Sequence, residues 1–229
     1  MIKLLLFDID GTLVLTGGAG GRAMASAARE LFDIPDAVGA ISMAGRTDAW
    51  IVAQMAAMHG LQCDAETLDR FRDRYLSHLG REIHEPGPQK GVLPGIRTVL
   101  ESLHTRTDAH LALLTGNFEA GARIKLEYFD LWRFFSSGAF GESAHDRNAL
   151  LAVALQRVRD SGGPAVSPSD VVIIGDTPLD VAVAVAGGAR SLGVATGGYS
   201  VDELRASGAD VVLSDLRDVS ATLAGMGLS

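Results

Sequence analysis

Phe7-Asp8-Ile9-Asp10-Gly11-Thr12-Leu13-Val14 places two carboxylates at the end of an apolar run, Ile2-Lys3-Leu4-Leu5-Leu6-Phe7. A short apolar run bounded by turn residues reads as a strand covered on both faces. Side chains alternate along a strand, so Asp8 and Asp10 share one side and Ile9 turns away. Gly11 then allows a sharp turn. Two carboxylates this close repel unless a cation or a shared proton lies between them. A simple strand-end turn would account for Asp10-Gly11 but leaves Asp8 costly.

Outward from this point the chain alternates. Further strands are expected at 109–114, 170–174, 190–195 and 210–213, and helices at 94–106, 118–128, 145–160, 178–187 and 215–225. That alternation predicts an α/β fold: a Rossmann-like parallel sheet core with helices on both faces. Residues 16–85 break the rhythm. They carry helical spacing at 22–32, 47–59 and 65–83, with Thr47-Asp48 as an N-cap, and Pro86-Gly87-Pro88 ends the pattern. The division expected is therefore a core of 1–15 and 86–229 with a helical block, 16–85, inserted in it. The glycines of 16–21 and the stretch 86–94 read as its hinges.

Two more strand ends carry polar residues. Val172-Ile173-Ile174-Gly175-Asp176-Thr177-Pro178-Leu179-Asp180 runs from a strand into a helix. Helix capping explains Thr177, Pro178 and Asp180 but does not require Asp176. Leu113-Leu114-Thr115-Gly116-Asn117 offers a hydroxyl and backbone N–H groups at a helix start, suited to a phosphate or to a capped turn. Ligands of open α/β sheets bind beyond the carboxyl ends of the strands. Asp8, Asp10, Asp176 and Asp180 would converge there, and an oxygen cluster of this kind suits Mg²⁺.

Composition narrows the classes. The 229 residues are 47% hydrophobic and 21% charged, with 20 basic and 28 acidic side chains and a net charge of −8. General nucleic-acid binding and a polybasic membrane surface are disfavoured. The single cysteine, Cys63, excludes an internal disulfide. The start turns acidic too soon for a signal peptide, and no apolar run approaches the roughly 20 residues of a membrane span. A cytoplasmic protein, monomer or weak homodimer, is expected. Lysine occurs only at 3, 90 and 125.

Asp8-Ile9-Asp10-Gly11-Thr12, Thr115-Gly116-Asn117 and Gly175-Asp176-Thr177-Pro178-Leu179-Asp180, in that order, resemble the haloacid dehalogenase superfamily. The nearest likeness is to its cap-bearing phosphatases of the phosphoglycolate phosphatase type. The resemblance spans essentially the whole chain and implies that 16–85 is a small cap domain. It implies a Mg²⁺-dependent phosphatase acting on a small phosphorylated metabolite through an aspartyl-phosphate. Asp8 would be the nucleophile and Asp10 the acid and base. Asp8, the main-chain carbonyl of Asp10 and Asp176 would hold Mg²⁺, with Asp180 assisting. Thr115 would hold a phosphoryl oxygen, beside Gly116 and Asn117.

The superfamily also uses a basic residue, usually Lys, ahead of its last motif. No Lys follows Lys125 here, so Arg147 in Ala144-His145-Asp146-Arg147-Asn148-Ala149 is the expected substitute, with Arg133 behind it. Lys125 reads as exposed. A fixed cation is needed: a carboxylate about 4 Å from a phosphate dianion is repelled by roughly 8 kcal/mol at an effective dielectric near 20. In the helical block, Arg46 of Gly45-Arg46-Thr47-Asp48 is the candidate for the far end of the substrate, and Tyr199 could line the site from the core. Trp50, Met55 and Met58 read as packing. A phosphosugar mutase, a dehalogenase and a non-enzymatic phospho-acceptor are the alternatives. Asp10 counts against a dehalogenase, and the inserted block against a phospho-acceptor.

Overall fold

The computed structural model describes residues 2–34, 38–39, 41–142 and 147–228. Residues 144–146 of the motif leading to Arg147, which include the first two residues of the helix expected at 145–160, fall outside them. β1 (Lys3–Phe7) is central in a parallel sheet. It pairs with β4 (Ala109–Leu114) on one side and β6 (Val171–Gly175) on the other, with Leu5 level with Leu111 and Val172. β5 (Gly138–Ala139) extends the β4 edge. β7 (Arg190–Val194) and β8 (Val211–Leu213) extend the β6 edge. The sheet order β5-β4-β1-β6-β7-β8 brings the ends of β1, β4 and β6 together at the point where the winding changes direction.

Both faces are covered because β1 is apolar on both. Leu5 and Phe7 join the core under α4 (Ile96–His104), α5 (Glu119–Tyr128) and α9 (Val219–Gly225). Leu4 and Leu6 pack under α6 (Leu150–Asp160) and α7 (Pro178–Gly187). Each of these leucines is fully buried, worth roughly 2 kcal/mol apiece. All five expected strands and five helices of the core form. The last helix begins at Val219 rather than 215, because the Asp218 side chain caps it by accepting from Ala221 N. α8 (Val201–Ala206) was not anticipated.

The segment after β1 leaves and rejoins the core through a small antiparallel ribbon. β2 (Val14–Leu15) pairs with β3 (Gly91–Val92), neither of which the apolar pattern announced. Between them lie α1 (Ala19–Phe32), α2 (Asp48–Met58) and α3 (Ala65–Glu82), which share an apolar cluster of their own around Ala23, Val52, Met55, Phe71 and Tyr75. α1 starts three residues earlier than expected. Gly20 and Gly21 are helical rather than hinge residues, since burial of Ala19 and Ala23 outweighs the glycines' poor helix propensity. One core residue, Phe118, belongs to this cluster, its ring 6.1 Å from that of Tyr75.

Candidate active site

Asp8 follows β1 directly, held by its N–H donating to the carbonyl of Ile174 at 2.9 Å. Gly11, with φ of 84°, turns the chain, and a Cβ there would run into the Asp176 carboxylate. Gly197 approaches the same carboxylate as closely. Asp176 thus sits in a cradle that side chains would fill, and Thr12 Oγ1 donates to it at 3.0 Å. Asp180 stands in the first turn of α7 in a capping box, where Thr177 N–H donates to it at 3.1 Å and Thr177 Oγ1 at 2.8 Å.

Asp8, Asp176 and Asp180 are all buried and can each bring a carboxylate oxygen within 4.8 Å of the others. Burial, only partly offset by Arg147, pushes the Asp8 carboxyl up to about 6; Asp180 and Asp10 add to the rise. Burial, then Asp180 and Asp8, push Asp176 up to about 8. Three carboxylates this close in a low dielectric match a hard divalent cation, which takes oxygen ligands and would cancel their repulsion. The donor set fits Mg²⁺.

Arg147 is buried at the start of a 3₁₀ turn, 147–149, ahead of α6. It is paired with Asp180 and lies 3.5 Å from Asp8. Burial alone would lower its proton affinity; Asp180 and Asp8 more than reverse that, so it stays charged. Its Nε is buried and has no hydrogen-bond partner among the described residues. Arg133 is exposed, paired with Asp130, and absent from the residues around Asp8.

Lys125 overturns the expectation that it is exposed. Its side chain is 5% exposed, and Nζ donates to Asp10 Oδ2 at 2.6 Å and to Asn117 Oδ1 at 2.5 Å. Asn117 Nδ2 completes the arrangement, donating to Asp10 Oδ2 and to Thr115 Oγ1, both at 2.9 Å. Asn117 therefore orients Asp10 rather than capping α5, whose N-cap is Phe118. The sequence held a signal for Lys125. Phe118, Ala122 and Leu126 form the buried stripe of α5, and position 125 lies on the same face.

The helical insert closes over these groups. Asp48 N–H donates to the Gly116 carbonyl at 2.7 Å, and Asp48 Oδ2 accepts from Phe118 N–H at 2.8 Å. A Cβ on Gly116 would strike the carbonyl of Arg46, so only glycine permits this approach. Burial pushes the Asp48 carboxyl up to about 7, against the pull of Lys125 and the Phe118 N–H. Between insert and core lies a cavity of about 210 Å³. Asp8, Asp10, Asp176, Arg147, Gly116 and Asn117 line it, as do Arg46, Asp48, Tyr75 and Lys125. Thr115 is fully buried behind Asn117, and Asp180 lies behind Arg147. Arg46 is exposed at the rim, its guanidinium 4.5 Å from the Trp50 ring centroid. Tyr199 is not among the lining residues.

A paired Asp8/Asp10 at the end of the central strand, a third and fourth acid after β6, and a closing helical insert have a known counterpart. The family model for haloacid dehalogenase-like hydrolases matches residues 5–184. This chain belongs to that family. It is 30% identical over 223 residues to the phosphoglycolate phosphatase of Rhodospirillum rubrum, covering 94% of this chain and 88% of the relative. It is 24% identical to that of Pseudomonas putida, covering 94% and 77%. The fold matches CbbY from Rhodobacter sphaeroides in complex with phosphate, with a TM-score of 0.72 at 18% identity over the whole of both chains. It also matches a hydrolase from Pseudomonas syringae, with a TM-score of 0.71 at 22% identity over 97% and 98%. The protein is thus a hydrolase of the phosphatase type, with a buried acidic cluster where this family's phosphatases use a metal ion. No helix among the described residues is long and apolar enough to cross a membrane.

Proposed function

We propose that this chain is a Mg²⁺-dependent phosphatase for a small phosphomonoester and that it works through an aspartyl-phosphate on Asp8. The observation that carries the reading is Arg147: a buried, charged guanidinium 3.5 Å from Asp8, with a donor that has no partner among the described residues. A buried donor without a partner is costly unless a ligand supplies the acceptor. Residues 16–85 act as the cap, and the cavity they close is below the range of roughly 300–1,000 Å³ usual for drug-sized ligands. That favours a small ester over the sugar bisphosphate that a phosphosugar mutase must turn round.

An Asp8 carboxylate oxygen attacks phosphorus, and the bond from phosphorus to the ester oxygen breaks. Asp10 gives its proton to that oxygen as it leaves. In the second half Asp10 takes a proton from water, whose oxygen attacks the phosphorus and frees Asp8 and phosphate. Asp8, Asp176 and the Asp10 carbonyl, with Asp180 behind them, would hold Mg²⁺, which would supply charge neutralisation for nucleophile and phosphoryl oxygens. Arg147 adds a fixed cation that binds the phosphoryl group, and Asp180 keeps it in place. Thr115 and Gly116 offer donors at the foot of the site. Lys125 and Asn117 hold Asp10 toward the leaving group. Arg46, at the cavity's rim, meets the substrate's far end.

Asp8→Asn keeps the shape and removes the nucleophile. We expect loss of turnover on a panel of small phosphate esters with Mg²⁺ present, an unchanged fold by circular dichroism, and no phosphoryl-enzyme by mass spectrometry. EDTA should stop the wild type and Mg²⁺ restore it. Residual turnover above a hundredth of wild type, or indifference to chelation, would overturn the reading.

A further inference from the structure

Asp48, the first residue of α2, is buried and grips the core at two points, the Gly116 carbonyl and the Phe118 N–H. Those two groups stand on either side of Asn117. The peptide plane before Asn117 is held by Asp48 N–H at the Gly116 carbonyl and by Thr115 Oγ1, which accepts from Asn117 N–H at 3.3 Å. The plane after it is held by Asp48 Oδ2 at Phe118 N–H and by Gly141 N–H, which donates to the Asn117 carbonyl at 2.8 Å. Each plane therefore takes one bond from the core and one from Asp48.

The two planes that flank a residue set its backbone angles, and with them the direction in which its side chain leaves the chain. The Asn117 side chain donates to Asp10 Oδ2 and accepts from Lys125, which donates to the same Asp10 oxygen. Phe118 is the N-cap of α5, so its N–H has no acceptor inside that helix and would pass to water if the insert lifted.

We propose that Asp48 is a positioning residue: by gripping the peptide planes on both sides of Asn117, it aligns Asp10 with the leaving oxygen only while the insert is closed. This rests on the phosphatase reading and adds the coupling of closure to proton transfer. With the insert open each plane keeps one bond of two, and Asn117 no longer holds Asp10 to one direction. Proton transfer to a departing oxygen needs a defined distance and line, so an open site binds an ester without protonating its alkoxide.

The test separates alignment of Asp10 from support of the insert by changing the leaving group. With ethyl phosphate, the bond from Asp8 to phosphorus forms as the bond from phosphorus to the ester oxygen breaks, and the Asp10 proton goes to that oxygen. With acetyl phosphate the same bonds form and break, but acetate leaves as a stable anion and Asp10 keeps its proton. First-turnover release of ethanol and of acetate is followed by rapid quench on the intact chain with Mg²⁺. Asp48→Ala removes the acceptor for Phe118 N–H; it should slow ethanol release about tenfold or more and acetate release by less than about threefold. Gly116→Ala, whose Cβ would strike the Arg46 carbonyl, loosens the same grip from the core side and should shift the ratio of the two rates in the same direction. Asp48→Asn keeps an oxygen for Phe118 N–H and should return the ratio to within about threefold of the parent. Equal slowing of both releases in Asp48→Ala, an unchanged ratio, or a ratio displaced as far in Asp48→Asn overturns the positioning role. Amide exchange at Phe118, read in the resting protein, should quicken about tenfold in Asp48→Ala and not in Asp48→Asn; exchange unchanged in Asp48→Ala overturns the grip. A parent that releases neither ethanol nor acetate overturns the phosphatase reading, and the exchange measurement then decides the grip alone.

Discussion

Removing one charge from the acidic cluster should stabilise the metal-free protein, and only above mildly acidic pH. Asp176→Asn is the change, because the amide preserves shape and still accepts from Thr12 Oγ1. In the folded chain the Asp176 carboxyl lies near 8, raised by burial and then by Asp180 and Asp8, against 3.8 for the free group. A raised carboxylate lowers stability as pH climbs. Below about pH 4 both states are protonated, with no penalty; between 4 and 8 the unfolded chain sheds a proton that the fold retains. From pH 5 to pH 8 that is worth on the order of 4 kcal/mol, at about 1.4 kcal/mol per pH unit while the two states differ. For a chain of this length the melting temperature moves by roughly 2–4 °C per kcal/mol, so a relative gain on the order of 10 °C is expected. The assay is thermal melting of both proteins in EDTA at pH 5 and pH 8. Asp48 is common to both proteins and cancels in the difference. Mg²⁺ should restore wild type at pH 8 and help the variant less. A difference between the two proteins that is the same at pH 5 and pH 8 would refute the reasoning.

Lys125→Met retains the stem but leaves Asp10 without its ion pair; kcat should fall at least tenfold in steady-state assays. Gly116→Ala drives a Cβ into the Arg46 carbonyl and should hold cap and core apart. KM should rise several-fold and limited proteolysis of the β2–β3 ribbon should quicken, while far-ultraviolet circular dichroism stays the same.

Much of the fold and the floor of the site is written in local pattern. The five long strands are apolar runs, and the acids at their ends stand out because nothing structural requires Asp8 or Asp176 there. Features that depend on remote contact are not written that way. β2 and β3 are two residues each and exist by pairing with one another, so no periodicity announces them. α8 was legible, since Ser200 and Glu203 form a capping box with the spacing that marks one. Asp48 reads as part of an N-cap in sequence; its tie to Phe118 N–H appears only when the insert folds over the core. Lys125 was misjudged because charge outweighed position: a lysine in a helix is usually solvated, yet its partner lies 115 residues away at the end of β1. Tyr75 gave no signal, since a tyrosine in an apolar stripe is ordinary packing until its hydroxyl is found without a partner among the described residues.

Two cations flank the paired aspartates, and they should be separable. Arg147 faces Asp8 and Asp180, both nearly inaccessible, while Lys125 faces Asp10, whose side chain is 43% exposed. A guanidinium can engage Asp180 with one nitrogen and still present others to a phosphoryl group; an ammonium is a point charge on a shorter reach. Arg147→Lys should therefore keep the pair with Asp180 and lose the bridge toward Asp8. We expect a 10- to 100-fold fall in kcat/KM and weaker binding of inorganic phosphate, with a modest drop in melting temperature. Arg147→Met strands two buried carboxylates and should cost about 3–5 kcal/mol in the absence of metal. The contrast between the two variants separates charge from geometry. If Arg147→Lys bound phosphate and turned over as wild type does, while Lys125→Met lost phosphate binding, Arg147 would be a clamp for α7 and Lys125 the cation that receives the phosphoryl group.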